Sequence, residues 1–323
     1  MHYRKLGRTG WMVSEIGYGM WGMAGWTGSD DSESMRALHQ AVELGCNFFD
    51  TAWAYGDGHS ERLLGDLVRA HPEQVLYTAS KIPPMNRKWP ARPTYPFEEV
   101  FPYEHIMAYA DHTLRNLGLD HVDLIQFHVW DDTWADREEW QRAVQDLKQQ
   151  GKIRAFGISV NRWEPTNVLR AMQTGLVDAV QVIYNIFDQN PEDVLFPACQ
   201  QQDVGVIARV PFDEGSLVGT LTPVSRWPEG DWRNRYFSPE NLKPTLERIE
   251  ALRPLVPAGM QMAEMALRFI LHHPAVSTII PGMRRPGHVA QNIAVSDGQA
   301  LPADLIDRLR AHRWDRVPAP WSD

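Results

Sequence analysis

Four side chains in this sequence could together protonate an oxygen atom: Asp50, Tyr55, Lys81 and His128. Asp50 ends the apolar run Cys46–Asp50, and Tyr55 lies in the segment just after it. Lys81 follows the run Val75–Ser80, and His128 follows Val122–Phe127. A tyrosine titrates near ~10 and is a poor acid at neutral pH. An ammonium beside it stabilises the tyrosinate and lowers that value. An aspartate holds the lysine as an ion pair, and a histidine positions a carbonyl oxygen between itself and the phenol. Such a set donates a proton to oxygen while hydride reaches carbon. None of these side chains carries hydride, so the chemistry calls for a nicotinamide cofactor. Singly each residue says little, because an aspartate before a helix is commonly a cap and a lone histidine commonly a core group.

Together they gain weight from the elements that must position them. Short apolar runs alternate with amphipathic stretches along the chain. The runs Val13–Ile16, Cys46–Asp50, Val75–Ser80, Val122–Phe127, Ala155–Ser159, Ala179–Ile183, Val204–Ala208 and Val276–Ile280 read as strands. The stretches Ser32–Leu44, Ser60–Val68, His105–Leu117, Glu138–Gln150, Pro165–Met172, Val194–Gln202, Asn241–Leu252, Met262–Leu271 and Gly287–Val295 read as helices. Gly45, Gly118 and Gly151 follow three of them as terminators. About eight strand–helix units is the number that closes a (β/α)8 TIM barrel, with parallel strands and right-handed crossovers. No linker divides the chain, so residues 1–323 are expected to form a single domain. The long βα loops 83–102 and 222–239 are expected over the C-terminal mouth, where strand-end side chains converge.

Composition removes whole classes of function. With 32 Lys plus Arg against 41 Asp plus Glu, the formal charge of −9 argues against a general nucleic-acid or anionic-membrane binder. Cys46 and Cys199 cannot build a disulfide framework or a cysteine zinc site, and no H-E-x-x-H occurs, so no metal is expected. No signal peptide and no membrane-length apolar run is visible, which makes a reduced cytoplasm the expected location. Gly17-Tyr18-Gly19-Met20-Trp21-Gly22 spells G-x-G-x-x-G after a strand. A dinucleotide fingerprint needs a helix opening within the glycines. Gly25, Trp26, Thr27 and Gly28 delay any helix to about Ser32, so the motif reads as a flexible first βα loop. Gly157-Ile158-Ser159-Val160-Asn161 lacks the last glycine of a nucleophile elbow.

At this point the chain resembles the aldo-keto reductase family over nearly its whole length. Asp50-Thr51-Ala52-Trp53-Ala54-Tyr55-Gly56 followed by Ser60-Glu61-Arg62-Leu63-Leu64-Gly65 is similar to the family's D-T-A-x-x-Y-G…S-E-x-x-L-G signature. Thr78–Lys81 and Asp120–His128 resemble its lysine and histidine strands. The resemblance implies a catalytic tetrad of Asp50, Tyr55, Lys81 and His128, a (β/α)8 barrel, and aldehyde or ketone substrates. It also implies NADP(H) more often than NAD(H), lying extended over the barrel mouth with no separate dinucleotide domain.

Cofactor contacts follow from the same resemblance. Ser159 and Gln181 match carboxamide ligands, whose donor and acceptor suit a primary amide. Val160 stands at the usual asparagine place, with Asn161 next to it. Arg209 stands where a tyrosine commonly stacks on nicotinamide, and a planar guanidinium also stacks. Pro211, Asp213, Gly215, Ser216 and Leu217 resemble the pyrophosphate clasp, with backbone N–H groups offered to phosphate. The acidic Asp213 and Glu214 must then point elsewhere or pair with Arg or Lys. Gly282 and Met283 replace a familiar Lys-Ser pair, which makes Arg284 at a helix start the leading 2′-phosphate ligand, ahead of Arg285 and His288. Gln291 and Asn292 match adenine contacts.

Trp21, Trp53 and Trp130, on three βα loops, are the expected substrate-pocket aromatics, with Trp26 and Trp89 able to reach the mouth from longer loops. The expected activity is NADPH-dependent reduction of a small-molecule carbonyl with Tyr55 as general acid. Run backwards, the same site is a sugar or alcohol dehydrogenase. A non-catalytic cofactor-sensing protein on this scaffold is the reading from another class, and the intact tetrad weighs against it.

Overall fold

The computed structural model describes residues 1–25 and 29–322. Trp26, Thr27 and Gly28 of the first loop therefore lie outside the described residues. Eight parallel strands follow one another in the sheet in chain order: β1 (Tyr18–Gly19), β2 (Phe48–Asp50), β3 (Tyr77–Ile82), β4 (Val122–Phe127), β5 (Ile153–Ser159), β6 (Ala179–Ile183), β7 (Gly205–Arg209) and β8 (Val276–Ile279). Bridges between Ile16 and Ile279 and between Gly19 and Gly282 join the last strand to the first, so the sheet is a barrel. Helices α1 (Asp31–Glu43), α2 (His59–Ala70), α3 (Tyr103–Leu117), α4 (Glu138–Gln149), α5 (Leu169–Gln173), α6 (Leu195–Gln202), α7 (Met262–His272) and α8 (Pro286–Ala294) alternate with the strands. Asp30 caps α1 by accepting from the Glu33 N–H, and Gly118 at φ 64° terminates α3 in the left-handed region.

The first barrel strand is not where hydrophobic patterning places it. Val13–Ile16 was expected as a barrel strand, but Met12–Ser14 pairs antiparallel with Tyr3–Lys5. That hairpin floors the barrel, where Leu6, Trp11 and Val13 pack against Phe48, Ala79, Leu124, Ala155, Ala179 and Ile207. Alternation marks a half-buried strand in either setting, so it cannot say which sheet a strand joins. The real β1 lies inside the G-x-G-x-x-G run and carries its second glycine, Gly19. A Cβ on Gly19 would lie 2.6 Å from the Ile280 carbonyl oxygen. The motif is thus partly barrel wall rather than wholly a flexible loop, and glycine lets β1 close against the chain leaving β8.

The family-like S-E-x-x-L-G segment ties α2 to its surroundings. Thr51 donates to the Ser60 hydroxyl at 2.8 Å. The buried Glu61 carboxylate accepts from Ser80 at 2.5 Å, Thr113 at 2.8 Å and Asn116 at 2.7 Å. Burial pushes the Glu61 carboxyl up from its ordinary value, against those hydrogen bonds. One carboxylate therefore pins α2 to β3 and α3, behind the loop that carries Tyr55. A Cβ on Gly65 would meet the Leu117 carbonyl at 2.0 Å, so glycine sets the close α2–α3 approach.

Long loops decorate the mouth. The loop after β3 holds a short helix, Phe97–Val100, and the loop after β7 holds Asp213–Val218 and a helix at Arg233–Tyr236. After β8 and α8 the chain adds the helix Ala303–Arg310 and an irregular tail over residues 311–322. Among the described residues no helix is long and apolar enough to cross a membrane.

Candidate active site at the barrel mouth

Strand register brings the four ionisable residues together. Asp50 is the last residue of β2 and pairs with Ala79, two residues before Lys81 on β3. Lys81 pairs with Gln126 on β4, and His128 follows directly after that strand. Period-two alternation puts Gln126 and His128 on one side of β4. Asp50 and Lys81 are buried, Lys81 only 1% exposed, while Tyr55 and His128 are half-buried.

The Lys81 ammonium donates to Asp50 Oδ1 in a short contact and to the Thr51 carbonyl at 2.8 Å. Asp50 Oδ2 accepts from Gln126 Nε2 at 3.0 Å and from Gln181 Nε2 at 2.8 Å. Both carboxylate oxygens are thus committed, and the buried ion pair has the hydrogen bonds such a pair needs. The Lys81 Nζ lies 5.2 Å from the centre of the Tyr55 ring. Tyr55 and His128 meet edge to face with centroids 5.6 Å apart, and Trp89 meets His128 the same way at 5.9 Å.

Electrostatics divide the roles. Burial raises the Tyr55 phenol above its ordinary value, while Lys81 and Arg209 pull it down and Asp50 pushes it up. The expectation of a net lowering by lysine is therefore corrected, because desolvation outweighs the cation. Tyr55 is therefore protonated at neutral pH, and its phenolate would face two positive charges. Burial, then Lys81 and Arg209, hold the His128 imidazole well below its ordinary value, so it is neutral near pH 7.

The remaining strand ends form a ring of polar groups. Ser159 ends β5 and Gln181 pairs with it across β6. Gln181 has spent its amide nitrogen on Asp50 and on Gln126 Oε1 at 3.2 Å, so its oxygen is the group it can still offer a ligand. Asn161 donates to the Ala91 carbonyl at 3.1 Å and to Glu164 at 2.9 Å, and its Oδ1 is buried without a partner. Arg209 ends β7 and donates to the Val160 carbonyl at 3.0 Å, while its Nε is buried and unpartnered. Burial, then the neighbouring Arg162, lowers the Arg209 guanidinium to about 10.

The loop after β7 differs from the simple clasp expected. Pro211, Asp213, Ser216 and Leu217 are buried. The N–H groups of Gly215 and Leu217 both donate to the Phe212 carbonyl, at 2.9 and 3.0 Å, so these two are not free phosphate donors. Positive φ at Asp213, Glu214 and Gly215 folds the loop back on Phe212. The two acids pair inward: Glu214 with Arg162 at 2.8 Å and Asp213 with Arg316 at 2.9 Å. Farther round, Gly282 is exposed and open to a neighbour. Arg284 follows it, its charge disfavoured by burial and then by Arg285 and Arg233. Gln291 is exposed and Asn292 buried on α8.

The aromatic residues sort differently from the expectation. Trp130 is fully buried, stacked on Phe127 and set edge-on to Trp134 and Trp140. It is core packing, held between Phe127 of β4 and Trp140 of α4. Trp53 lies edge-on to Tyr109 with the Arg87 guanidinium 4.7 Å from its ring. Trp21 is 40% exposed and edge-on to Trp232. Trp89, also 40% exposed, is the indole in contact with His128. Sequence reasoning missed two residues. Gln126 was visible by alternation from His128, whereas Arg162 carries no periodic signal, being placed by an irregular turn after β5.

Comparison with known proteins adds to this geometry. A profile of the aldo/keto reductase family matches residues 15–313. The chain is 27% identical to an uncharacterised oxidoreductase, YqkF, of Bacillus subtilis, over 97% of this chain and 96% of that one. It is 27% identical to the NADH-specific methylglyoxal reductase of Escherichia coli, over 93% and 94% of the two chains. The holo form of an aldo-keto reductase from Bacillus halodurans superposes over 100% of both chains with a TM-score of 0.77 at 25% identity.

Proposed function

The chain belongs to the aldo/keto reductase family of NAD(P)H-dependent oxidoreductases, and from that premise we propose that it reduces an aldehyde or ketone to an alcohol with NADPH, Tyr55 giving the proton. One observation carries the reading. A buried Asp50–Lys81 pair lies under the Tyr55 ring, beside a His128 held neutral, at the mouth of the barrel. The four positions match the family's tetrad residue by residue.

The residues around the mouth fit a nicotinamide cofactor. His128 Nδ1, Asn161 Oδ1, Arg162 Nη1 and Arg209 Nε are buried polar atoms without partners. Orphans of that kind are costly unless a ligand completes them. Ser159, Asn161 and the Gln181 oxygen are the carboxamide partners, and the Arg209 plane is the stacking face. The loop Pro211–Leu217 covers the pyrophosphate, Arg284 takes the 2′-phosphate, and Gly282, Gln291 and Asn292 border the adenosine. The bound cofactor supplies hydride to the carbonyl carbon. Tyr55 donates its proton to the carbonyl oxygen, and Lys81 and Arg209 stabilise the phenolate left behind. Asp50 keeps Lys81 in place, and neutral His128 orients the oxygen without competing as an acid. Trp89 and Trp21 present indole faces to the substrate, with Trp53 farther out against Tyr109.

Turnover of 4-nitrobenzaldehyde is the test, followed as loss of NADPH or NADH absorbance in wild type and Tyr55→Phe. Reduction favouring NADPH, abolished in the variant, supports the reading. Equal turnover in the variant, or none in either protein, overturns it. Binding of cofactor without turnover would instead favour the cofactor-sensing alternative.

A further inference from the structure

The loop Asp213–Val218 opens with two non-glycine residues at positive φ, Asp213 at 45° and Glu214 at 56°. Residues hold that conformation only where their surroundings impose it. Glu214 is held by Arg162, which follows β5. Asp213 is held by Arg316, which comes from the far end of the chain.

The Arg316 side chain is 2% exposed, as is that of Asp188, and Asp213 is wholly buried; the Arg316 guanidinium gathers them. Its Nε donates to Asp188 Oδ1 at 3.1 Å and its Nη1 to the Tyr236 hydroxyl at 2.9 Å. Its Nη2 reaches Asp188 Oδ2 in a short contact and Asp213 Oδ1 at 2.9 Å. The Tyr236 hydroxyl and the Ser216 hydroxyl each donate to Asp213 at 2.7 Å. The guanidinium therefore joins the loop after β6 to the loop after β7. It arrives on an irregular tail that other contacts also tie down: Arg313 pairs with Asp193 at 2.7 and 2.6 Å, and Arg235 donates to the Pro320 carbonyl at 3.1 Å. The Trp314 N–H donates to the Phe187 carbonyl at 2.7 Å, and Trp321 packs edge-on to Trp163 and Tyr236 at 5.5 and 5.6 Å. Taking a charge out of water is expensive, and its packing over the Trp163 and Trp314 rings, at 4.7 and 4.8 Å, is worth far less than that. Its partners show the use: two buried carboxylates, one of them opening the folded-back loop.

We propose that the C-terminal tail latches the loop over the cofactor, and that Arg316 is a positioning residue acting through Asp213 to set how long the cofactor is held. The inference rests on the reading of Asp213–Val218 as the cofactor-covering loop. Without the latch the loop's left-handed, closed conformation is less favoured over the bound cofactor, so the complex opens more often and releases faster. Apparent affinity then falls by the factor by which closure is weakened. The loss belongs to release rather than to proton transfer, because Tyr55, Lys81 and His128 do not touch the tail.

The experiment measures NADPH binding and release by stopped-flow tryptophan quenching, and hydride transfer by single turnover, in the full chain. Arg316→Met is expected to raise both the release rate and Kd by about tenfold, as for loop closure over the bound cofactor made about ten times less favourable. The single-turnover rate stays within about twofold of wild type. Arg316→Lys, which keeps the charge without the bidentate fork, falls between the two. Trp321→Ala loosens the tail without stranding a carboxylate and is expected to speed release in the same direction, so the idea is tested even where Arg316→Met does not fold. A purely structural role would lower Tm and the active fraction yet leave Kd of the folded molecules unchanged. That result, in either folded variant, overturns the latch. So does a loss confined to single turnover. If wild type binds neither NADPH nor NADH, the cofactor reading fails and the latch with it, whereas unchanged Kd in the variants beside normal wild-type binding removes the latch alone.

Discussion

Lys81→Met removes one charge from beneath the acid, and the geometry gives the size of the effect. Lys81 Nζ lies 5.2 Å from the Tyr55 ring centre. With an effective dielectric of about 20, a unit charge at that distance stabilises a developing phenolate by about 3 kcal/mol. That is roughly 200-fold in rate for a fully transferred proton and about 15-fold for one half transferred. The expected fall in kcat lies between those limits, with NADPH Kd unchanged, because the side chain acts on the transition state and not on the bound cofactor. Methionine fills a similar volume but leaves Asp50 with only its two glutamine donors. Removing one partner of a buried pair costs about 3–5 kcal/mol, so Tm should fall as well. The assay is single-turnover reduction of 4-nitrobenzaldehyde at saturating NADPH on protein shown to be folded by circular dichroism, with Lys81→Arg as the charge-keeping control. A folded Lys81→Met protein that transfers hydride within about threefold of wild type would refute the electrostatic argument.

Three further outcomes are expected. Tyr55→Phe keeps the ring and loses the proton, so kcat should fall by about 10²–10⁴-fold with cofactor affinity unchanged; retention of turnover within about fivefold would move the acid to His128. Arg284→Ala should weaken NADPH far more than NADH, by about tenfold to a hundredfold for a lost charge-assisted phosphate contact, as read by fluorescence titration with both cofactors; equal losses would pass the role to Arg285 or His288. Because His128 is neutral well below its ordinary value and the Tyr55 phenol is raised, the reduction rate at saturating cofactor should be flat from about pH 6 to 9. It should fall only at higher pH, as the proton that Tyr55 must donate is lost. An inflection near about 6.5 in kcat would show that His128 ionises during the reaction.

What was legible in the sequence follows the range of the forces involved. Val122–Phe127 and Ala179–Ile183 are found at the expected bounds because both faces of a barrel strand are buried, which writes a continuous apolar run with sharp ends. The convergence of Asp50, Tyr55, Lys81 and His128 was legible because barrel topology puts every strand end at one mouth, so chain order alone predicts it. The first strand was missed because the floor hairpin has an equally good apolar pattern, and β1 is only Tyr18–Gly19, too short to announce itself. Trp130 was misplaced because a loop position does not reveal whether the side chain turns toward the mouth or back over the helices.

The site's supporting layer was hidden for a different reason. Gln126 completes Asp50, as does Gln181, which was expected only as a carboxamide ligand, and nothing local separates an inward glutamine that feeds a carboxylate from one that merely fills space. Arg162 and Arg316 lie on irregular backbone, and Arg316 reaches Asp213 and Asp188 across more than a hundred residues of chain. Such contacts exist only after the barrel has closed, so no periodicity encodes them. The acids they meet did leave a trace. Asp213 and Glu214 in a loop expected to face phosphate are a conflict, because two carboxylates would repel the anion the loop is meant to cover. The fold resolves that conflict by turning both acids inward onto arginines, which removes the repulsion and holds the loop in a shape its own backbone would not keep.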